Sequence, residues 1–418
     1  MNALPVTGLV LSGGGARAAY QVGVLQAIAG LRREQAPAER HNPFPVIVGT
    51  SAGAINAAAL ACGADDFDAT IGSLAATWGA MHAAQVYRAD AWGVARTGAR
   101  WLSLFSVGWA FARWKRARPK SLLDNSPLAE LLDRLVPLER LPALMQAGHL
   151  QALAITASDY SSGEHVTFYD SIGHCAPWTR SQRLALRSPI SHAHLLASSA
   201  IPFVFPAVAL PLAGRTQYFG DGSMRQVAPI SPAVHLGAQR IVVVGAGRLH
   251  EPGVARPVAG GYPSLAQIAG HALSSIFLDA LAVDIERLRR INSTLALLPP
   301  EARERTPLRP IELLVVSPSQ RLDDIAARHV QALPAPVRAM LRATGVHGDA
   351  DAALPTAGGG AALASYLLFE RDYTRELMAL GAADVMARRE EVLKFFGWPA
   401  NAATTQRDAG VAGASAPA

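Results

Sequence analysis

One pattern near the start of this chain restricts its fold more than any other, and it occurs twice. Residues 8–28 read GLVLSGGGARAAYQVGVLQAI and residues 46–59 read VIVGTSAGAINAAA. Each is a short apolar run, a glycine-bearing turn and a helical period. A strand that passes directly into a helix leaves the next strand to return parallel, with the helix lying over the sheet. Further runs follow as QALAITASD, HVTFYD, QYFGD, RIVVVGAG and PIELLVVSPS. The predicted class is α/β: three layers, a mostly parallel sheet flanked by helices.

The local reading is specific. The first helix is expected over 16–31, with Tyr20, Val24 and Ala27 on one face, and 32–44 as a polar surface connection. A second helix follows over 52–63. In LLDNSPLAELLDRLV, Ser126 caps a helix with Pro127 at its first position and Leu128, Leu131, Leu132 and Leu135 as its apolar stripe. A strand–turn–strand centres on Ser161, Ser162 and Gly163. A long helix over 264–291 separates the strands at 240–247 and 310–319. Residues 348–362 read as a flexible loop, and 365–397 as a helical stretch broken near Gly381. The expected division is a core over 6–247, a C-terminal elaboration over 248–400 adding helices and at least one strand, and a disordered tail over 401–418.

Half of the 418 residues are hydrophobic and 17% are charged, which suits a large core and excludes global disorder. The net charge is +6, almost all of its basic side arginine, since lysine occurs only at Lys115, Lys120 and Lys394. That bias reads as composition, although a basic surface suits anionic phospholipid better than an acidic one does. Cys62 and Cys175 form no disulfide framework and no metal-ligand spacing, which points to a reducing compartment. The start MNALPVTGLV lacks a basic region ahead of an apolar one, and no long uncharged apolar run follows. The expectation is a cytoplasmic protein whose contact with the inner membrane, if any, is peripheral.

Glycine turns of this kind serve two chemistries. Gly13, Gly15 and Ala18 satisfy the dinucleotide fingerprint, but that fingerprint needs an acid closing the second strand, and here the strand runs straight into GTSAG. The second turn, Gly49-Thr50-Ser51-Ala52-Gly53, is G-x-S-x-G between strand and helix. This context exposes a serine above the sheet, where amides at the helix start favour developing negative charge. Both turns lie at carboxyl ends of strands, so the first can supply N–H donors to a carbonyl that Ser51 attacks. A base is still needed. Among twelve histidines, His235, His250 and His271 have no catalytic pattern. Asp221, closing a strand before Gly222, is more suggestive, although a plain Asp-Gly turn reads equally well from this stretch.

SGGGARA, GTSAG and DGS, in that order, together with LLDNSPL, ITASDYSSGE and ASSAIPFVFPAV, resemble the patatin-like phospholipases over about residues 7–235. The resemblance implies a patatin-like fold and a Ser–Asp dyad without histidine. Ser51 would be the nucleophile and Asp221 the base. Gly13, Gly14, Gly15, Ala16 and Arg17 would form the oxyanion loop, and Gly222 and Ser223 the dyad turn. The chain departs from the family at Ala18, usually glycine, and at Ser223, usually glycine or alanine. The implied function is hydrolysis of phospholipid or other lipid acyl esters, without cofactor or metal. The alternatives are a general carboxylesterase or acyltransferase, and a catalytically silent lipid-binding protein.

Other features are weighed beside that reading. Arg17 meets a substrate anion or holds the loop in shape, the second being favoured. Trp101, Phe105, Trp109 and Trp114 precede Lys115 and Arg116, which suits an interfacial helix on anionic membrane, against an ordinary buried helix with a basic end. His192 and His194 would share a strand face, but nothing completes a metal site around them. Asp159 is a weaker candidate base. No nucleic-acid motif is present. The oligomeric state is not legible.

Overall fold

The computed structural model describes residues 5–37, 41–88, 121–173, 175–212, 214–248, 280–343 and 359–398, with scattered positions between 268 and 276. Strand β1 (Thr7–Leu11) leads through a 3-10 turn (Gly15–Ala18) into α1 (Ala19–Gln35). Strand β2 (Val46–Thr50) leads into α2 (Ala52–Cys62), followed by α3 (Phe67–Gly79). Next come α4 (Ser126–Leu135), α5 (Leu141–Gln146) and strands β3 (Ala152–Asp159), β4 (His165–Ser171), β5 (Trp178–Arg180) and β6 (Arg183–Arg187). Helix α6 (His192–Ser198), the hairpin β7 (Val208–Leu212) and β8 (Arg215–Asp221), α7 (Ser231–His235) and β9 (Arg240–Val244) follow. The remainder is α8 (Ala280–Leu297), α9 (Pro300–Arg305), β10 (Glu312–Val316), α10 (Leu322–His329), α11 (Ala335–Ala343), α12 (Gly359–Leu367), α13 (Arg371–Met386) and α14 (Arg389–Phe396).

The sheet runs β10-β9-β1-β2-β3-β4-β6-β5, with β8 also on β3 and β7 on β8. From β10 to β3 every pairing is parallel. Its strands alternate between two cores. Leu9, Leu11 and Ile47 face one, with α1, α2, α3 and the C-terminal helices; Val10, Val48 and Val243 face the other, under α7 and α8. Burial on both sides explains why these strands read as unbroken apolar runs.

Strand β3 positions the site. Its one edge pairs with β4 from Ala152 to Ser158. The other edge pairs with β2, in parallel, up to Thr156, and then with β8, antiparallel, from Ala157. Strands β2 and β8 therefore meet head-on along one edge of β3, and each ends where the other ends. The residue after β2 is Ser51; the last residue of β8 is Asp221.

Several local expectations are corrected. Residues 32–44 are not simply a polar connection: α1 continues to Gln35 and Phe44 is fully buried against the rings of Phe67 and Phe396. Buried Arg32 donates to the His41 carbonyl at 2.7 Å and pairs with Asp68 at 2.6 Å. Ala27 is half-buried rather than on a single buried stripe, because α1 is covered on nearly every side. Ser126 does not cap its helix; it is the first helical residue, and its N–H donates to Asp124 Oδ1 at 2.9 Å. The expected loop at 348–362 gives way to α12 from Gly359.

Gly381 breaks nothing. It lies inside α13, and the C-terminal stretch is interrupted instead at 368–370 and 387–388. A Cβ at Gly381 would collide with the Tyr20 carbonyl of α1, and one at Gly23 with the Met378 carbonyl of α13. The two glycines let the helix backbones touch where they cross. Most of the early part of the helix expected over 264–291, the tail from 401 and the Trp101–Lys120 patch lie outside the described residues. Among the described residues, no helix is long and apolar enough to cross a membrane.

Candidate active site

Ser51 sits at the sharp turn between β2 and α2 with φ 56° and ψ −131°, a conformation that a non-glycine residue adopts at a cost of roughly 1–3 kcal/mol. The turn is held from outside: the Ser51 N–H donates to Ser198 Oγ at 2.8 Å. The Ser51 hydroxyl donates to Asp221 Oδ2 at 2.6 Å, and the other carboxylate oxygen accepts the Ser223 N–H at 2.8 Å. The end of α6 fastens the acid as well, since the Asp221 and Gly222 N–H groups donate to the carbonyls of Ala200 and Ser198, at 3.0 and 3.1 Å. Ser198–Ala200 thus hold both sides of the pair. The sequence marks this stretch as family-like but says nothing of its task.

Asp221 is fully buried, and burial lifts its pKa to about 6 against the opposing pull of the Ser51 and Ser223 hydrogen bonds. The carboxylate is therefore a stronger base than an exposed aspartate, and still ionised at neutral pH. Below it, Thr50 and Thr156 share a hydroxyl hydrogen bond at 2.7 Å, and Gln226 donates to Thr50 Oγ1 at 2.9 Å. His165, which the sequence did not single out, places Nε2 3.0 Å from the Gly222 carbonyl. Burial lowers its pKa to about 4, so the ring is neutral and supports the turn as a donor.

The first glycine turn lies beside this pair: Gly15 and Ser51 line one cavity of about 350 Å³. Gly15 has φ +55°, and a Cβ there would collide with the Tyr366 carbonyl of α12. The Arg17 N–H already donates to the Gly14 carbonyl at 3.1 Å, whereas the N–H groups of Gly15 and Ala16 open the 3-10 turn, where amides have no acceptor within the turn. Arg17 itself is buried and turned away toward the C-terminal helices. It donates to Ser365 Oγ at 2.8 Å, pairs with Asp323 at 2.5 Å and lies 4.0 Å over the Tyr366 ring.

This ties the glycine turn to α10 and α12. Asp323→Asn keeps an acceptor but removes the charge opposite a buried guanidinium, so stability should fall by about 2 kcal/mol in urea unfolding. An unchanged midpoint would show that the pair does not support the loop.

The cavity beyond Ser51 is walled by Ile55, Trp78, Leu131, Leu132, Ile201, Phe205 and Phe369. Trp78 donates to Asn56 Oδ1 at 2.9 Å and stacks on Phe369 at 6.2 Å, which satisfies its one polar atom and leaves an apolar face. A mostly apolar slot next to a nucleophile suits an acyl chain.

The remaining candidates have other duties. His192 and His194 lie on α6, not on a strand, so two residues apart they do not share a face. His192 reaches Asp133 at 2.7 Å and the Val136 carbonyl at 2.8 Å, and His194 bonds back to Ser191. Asp159 accepts from the Ser161 N–H and the Ser162 hydroxyl, both at 2.7 Å, and so closes the β3–β4 turn. His235 stacks on Trp178, and His250 lies outside the described residues. Among the described residues no three His, Cys, Asp or Glu side chains converge on a metal position.

Among solved structures, the crystal structure of VipD from Legionella pneumophila is similar at 14% identity, with a TM-score of 0.33, covering 90% of this chain and 67% of that one. No curated protein matches. The family described as Patatin-like phospholipase matches residues 9–234. That span holds both glycine-bearing turns, the head-on strands and the Asp221 turn, and makes up more than half of the sequence; the chain belongs to the patatin-like phospholipases, a family of lipid acyl hydrolases.

Proposed function

We propose that this chain hydrolyses lipid acyl esters, phospholipids among them, with Ser51 as nucleophile and Asp221 as its base. The observation that carries the reading is the 2.6 Å hydrogen bond between the Ser51 hydroxyl and the buried Asp221 carboxylate, at the wall of an apolar cavity. As Ser51 Oγ bonds to the ester carbonyl carbon, its proton passes to Asp221. The carbonyl oxygen takes up the negative charge and meets the amides of the Gly13–Ala16 turn. The C–O bond to the alcohol or lysolipid then breaks, and that oxygen leaves with the proton from Asp221. Water, deprotonated by Asp221, attacks the acyl-enzyme and returns the serine and the free fatty acid. The acyl chain occupies the cavity past Trp78 and Phe369 throughout.

An active-site-directed phosphonate tests this. The expected adduct is on Ser51. Since only the ionised carboxylate is a base, labelling should slow about tenfold per pH unit below a midpoint near 6 and level off above it. An adduct on another serine, or a flat profile from pH 5 to pH 8, would overturn the assignment. A panel of phospholipids and simple esters then separates a phospholipase from a general esterase.

A further inference from the structure

A second cavity, of about 570 Å³, lies on the other sheet face, under α7 and α8. Its charge is lopsided. Arg180, Arg183, Arg287 and Arg309 all line it, and among the described lining residues Asp284 is the one carboxylate. That carboxylate is engaged: it accepts the Ile230 N–H at 3.0 Å and lies 3.5 Å from Arg287.

The sheet register makes the imbalance sharper. Arg180 of β5 and Arg183 of β6 are direct cross-strand partners, so their side chains leave the same face side by side. Like charges directly opposite each other on a sheet are destabilising. Arg183 also has a buried Nε with no hydrogen-bond partner, a group that normally finds one. Arg309 is fixed in place by the carbonyls of Val234 and Ala238, at 2.9 and 3.4 Å. His235 adds no charge: burial, then Arg180, Arg183 and Arg309, hold its pKa below the ordinary histidine value. An oxyanion in this cavity would relieve the repulsion and occupy the orphaned donor, and guanidinium groups recognise phosphate oxygens in pairs.

We propose that this cavity binds a phosphate-bearing anion, held by Arg183 and Arg180 with Arg309 and Arg287 at its rim, separately from the Ser51 site. The anion is either free in solution or the headgroup of an anionic lipid; the recognising chemistry is the same.

Calorimetric titration of the full-length chain with inorganic pyrophosphate probes the free anion, and co-sedimentation with phosphatidylcholine vesicles, with and without phosphatidic acid, probes the headgroup. Saturable binding is expected in at least one arm, and the arm that responds identifies the source. Arg183→Gln should weaken it tenfold or more. Arg180 is exposed, so Arg180→Gln gives the same test in a variant whose folding is not at stake. Ser51→Ala should bind as the unaltered protein does. The proposal is overturned if neither probe binds, if both arginine variants bind at full affinity, or if Ser51→Ala abolishes binding.

Discussion

Asp221→Asn should lower acyl transfer by about a thousandfold or more while leaving the protein as stable at pH 7 as before, or more so. The side chains are nearly isosteric, and the asparagine carbonyl can still accept the Ser223 N–H now bound at 2.8 Å. What disappears is the carboxylate that accepts the Ser51 hydroxyl hydrogen bond at 2.6 Å and can take its proton. General-base catalysis contributes about 10²–10⁴-fold, and a thousandfold loss corresponds to about 4 kcal/mol of transition-state stabilisation. Stability moves the other way, because burial disfavours the aspartate charge strongly enough to raise its pKa to about 6. A neutral amide removes that penalty. Ser51→Ala should be at least as inactive. Ester turnover and thermal unfolding, measured on the same preparations, decide the matter. An Asp221→Asn protein that turns over ester at near the original rate would place the base elsewhere.

Gly23→Ala should destabilise the fold by about 3 kcal/mol, large for the addition of one methyl group. The position is in the middle of a helix, where alanine is intrinsically preferred by about 1 kcal/mol, so local propensity predicts the opposite sign. Tertiary contact reverses it. The added Cβ would overlap the Met378 carbonyl, a backbone atom that cannot rotate aside, and α13 would have to move off α1. Helix α1 continues directly from the Gly15–Ala18 turn, so the displacement should also be felt as slower phosphonate labelling of Ser51. Gly381→Ala meets the Tyr20 carbonyl from the other side and should behave alike. Urea midpoints equal to that of the unaltered protein would show that α13 is not packed there.

How far the sequence carries can be judged from particular residues. Parallel strands, the glycine turn before α1 and the G-x-S-x-G elbow before α2 are all legible, because each is a local arrangement dictated by the residues within it. Glycine permits the turn, β-branched runs favour the strand, and the helix begins where side chains allow it. Gly381 shows the same reasoning failing. Glycine weakens an isolated helix, so a break is the natural local reading, yet the residue is there because another backbone lies against it. Ser126 fails for a smaller reason: the helix starts one residue earlier than expected, with Asn125 at the capping position and Asp124 accepting the Ser126 N–H.

Ser51 and Asp221 were identifiable one at a time as a turn serine and a turn acid. Their pairing was legible only through the resemblance of the ordered motifs to a family, since physically it depends on β8 taking over an edge of β3 at the point where β2 stops. The raised basicity of Asp221 likewise comes from its complete burial, which no local stretch of sequence specifies. Arg17 finds its partners 306 and 348 residues away, in segments that carry no motif pointing back to it. The face that Arg180 and Arg183 share is likewise a matter of register between two short strands. Local sequence determined which turns, strands and helices form, because steric and hydrogen-bonding preferences act over a few residues. Which side chains end within bonding distance was decided only by the tertiary structure, because burial and strand order join segments that are far apart in the chain.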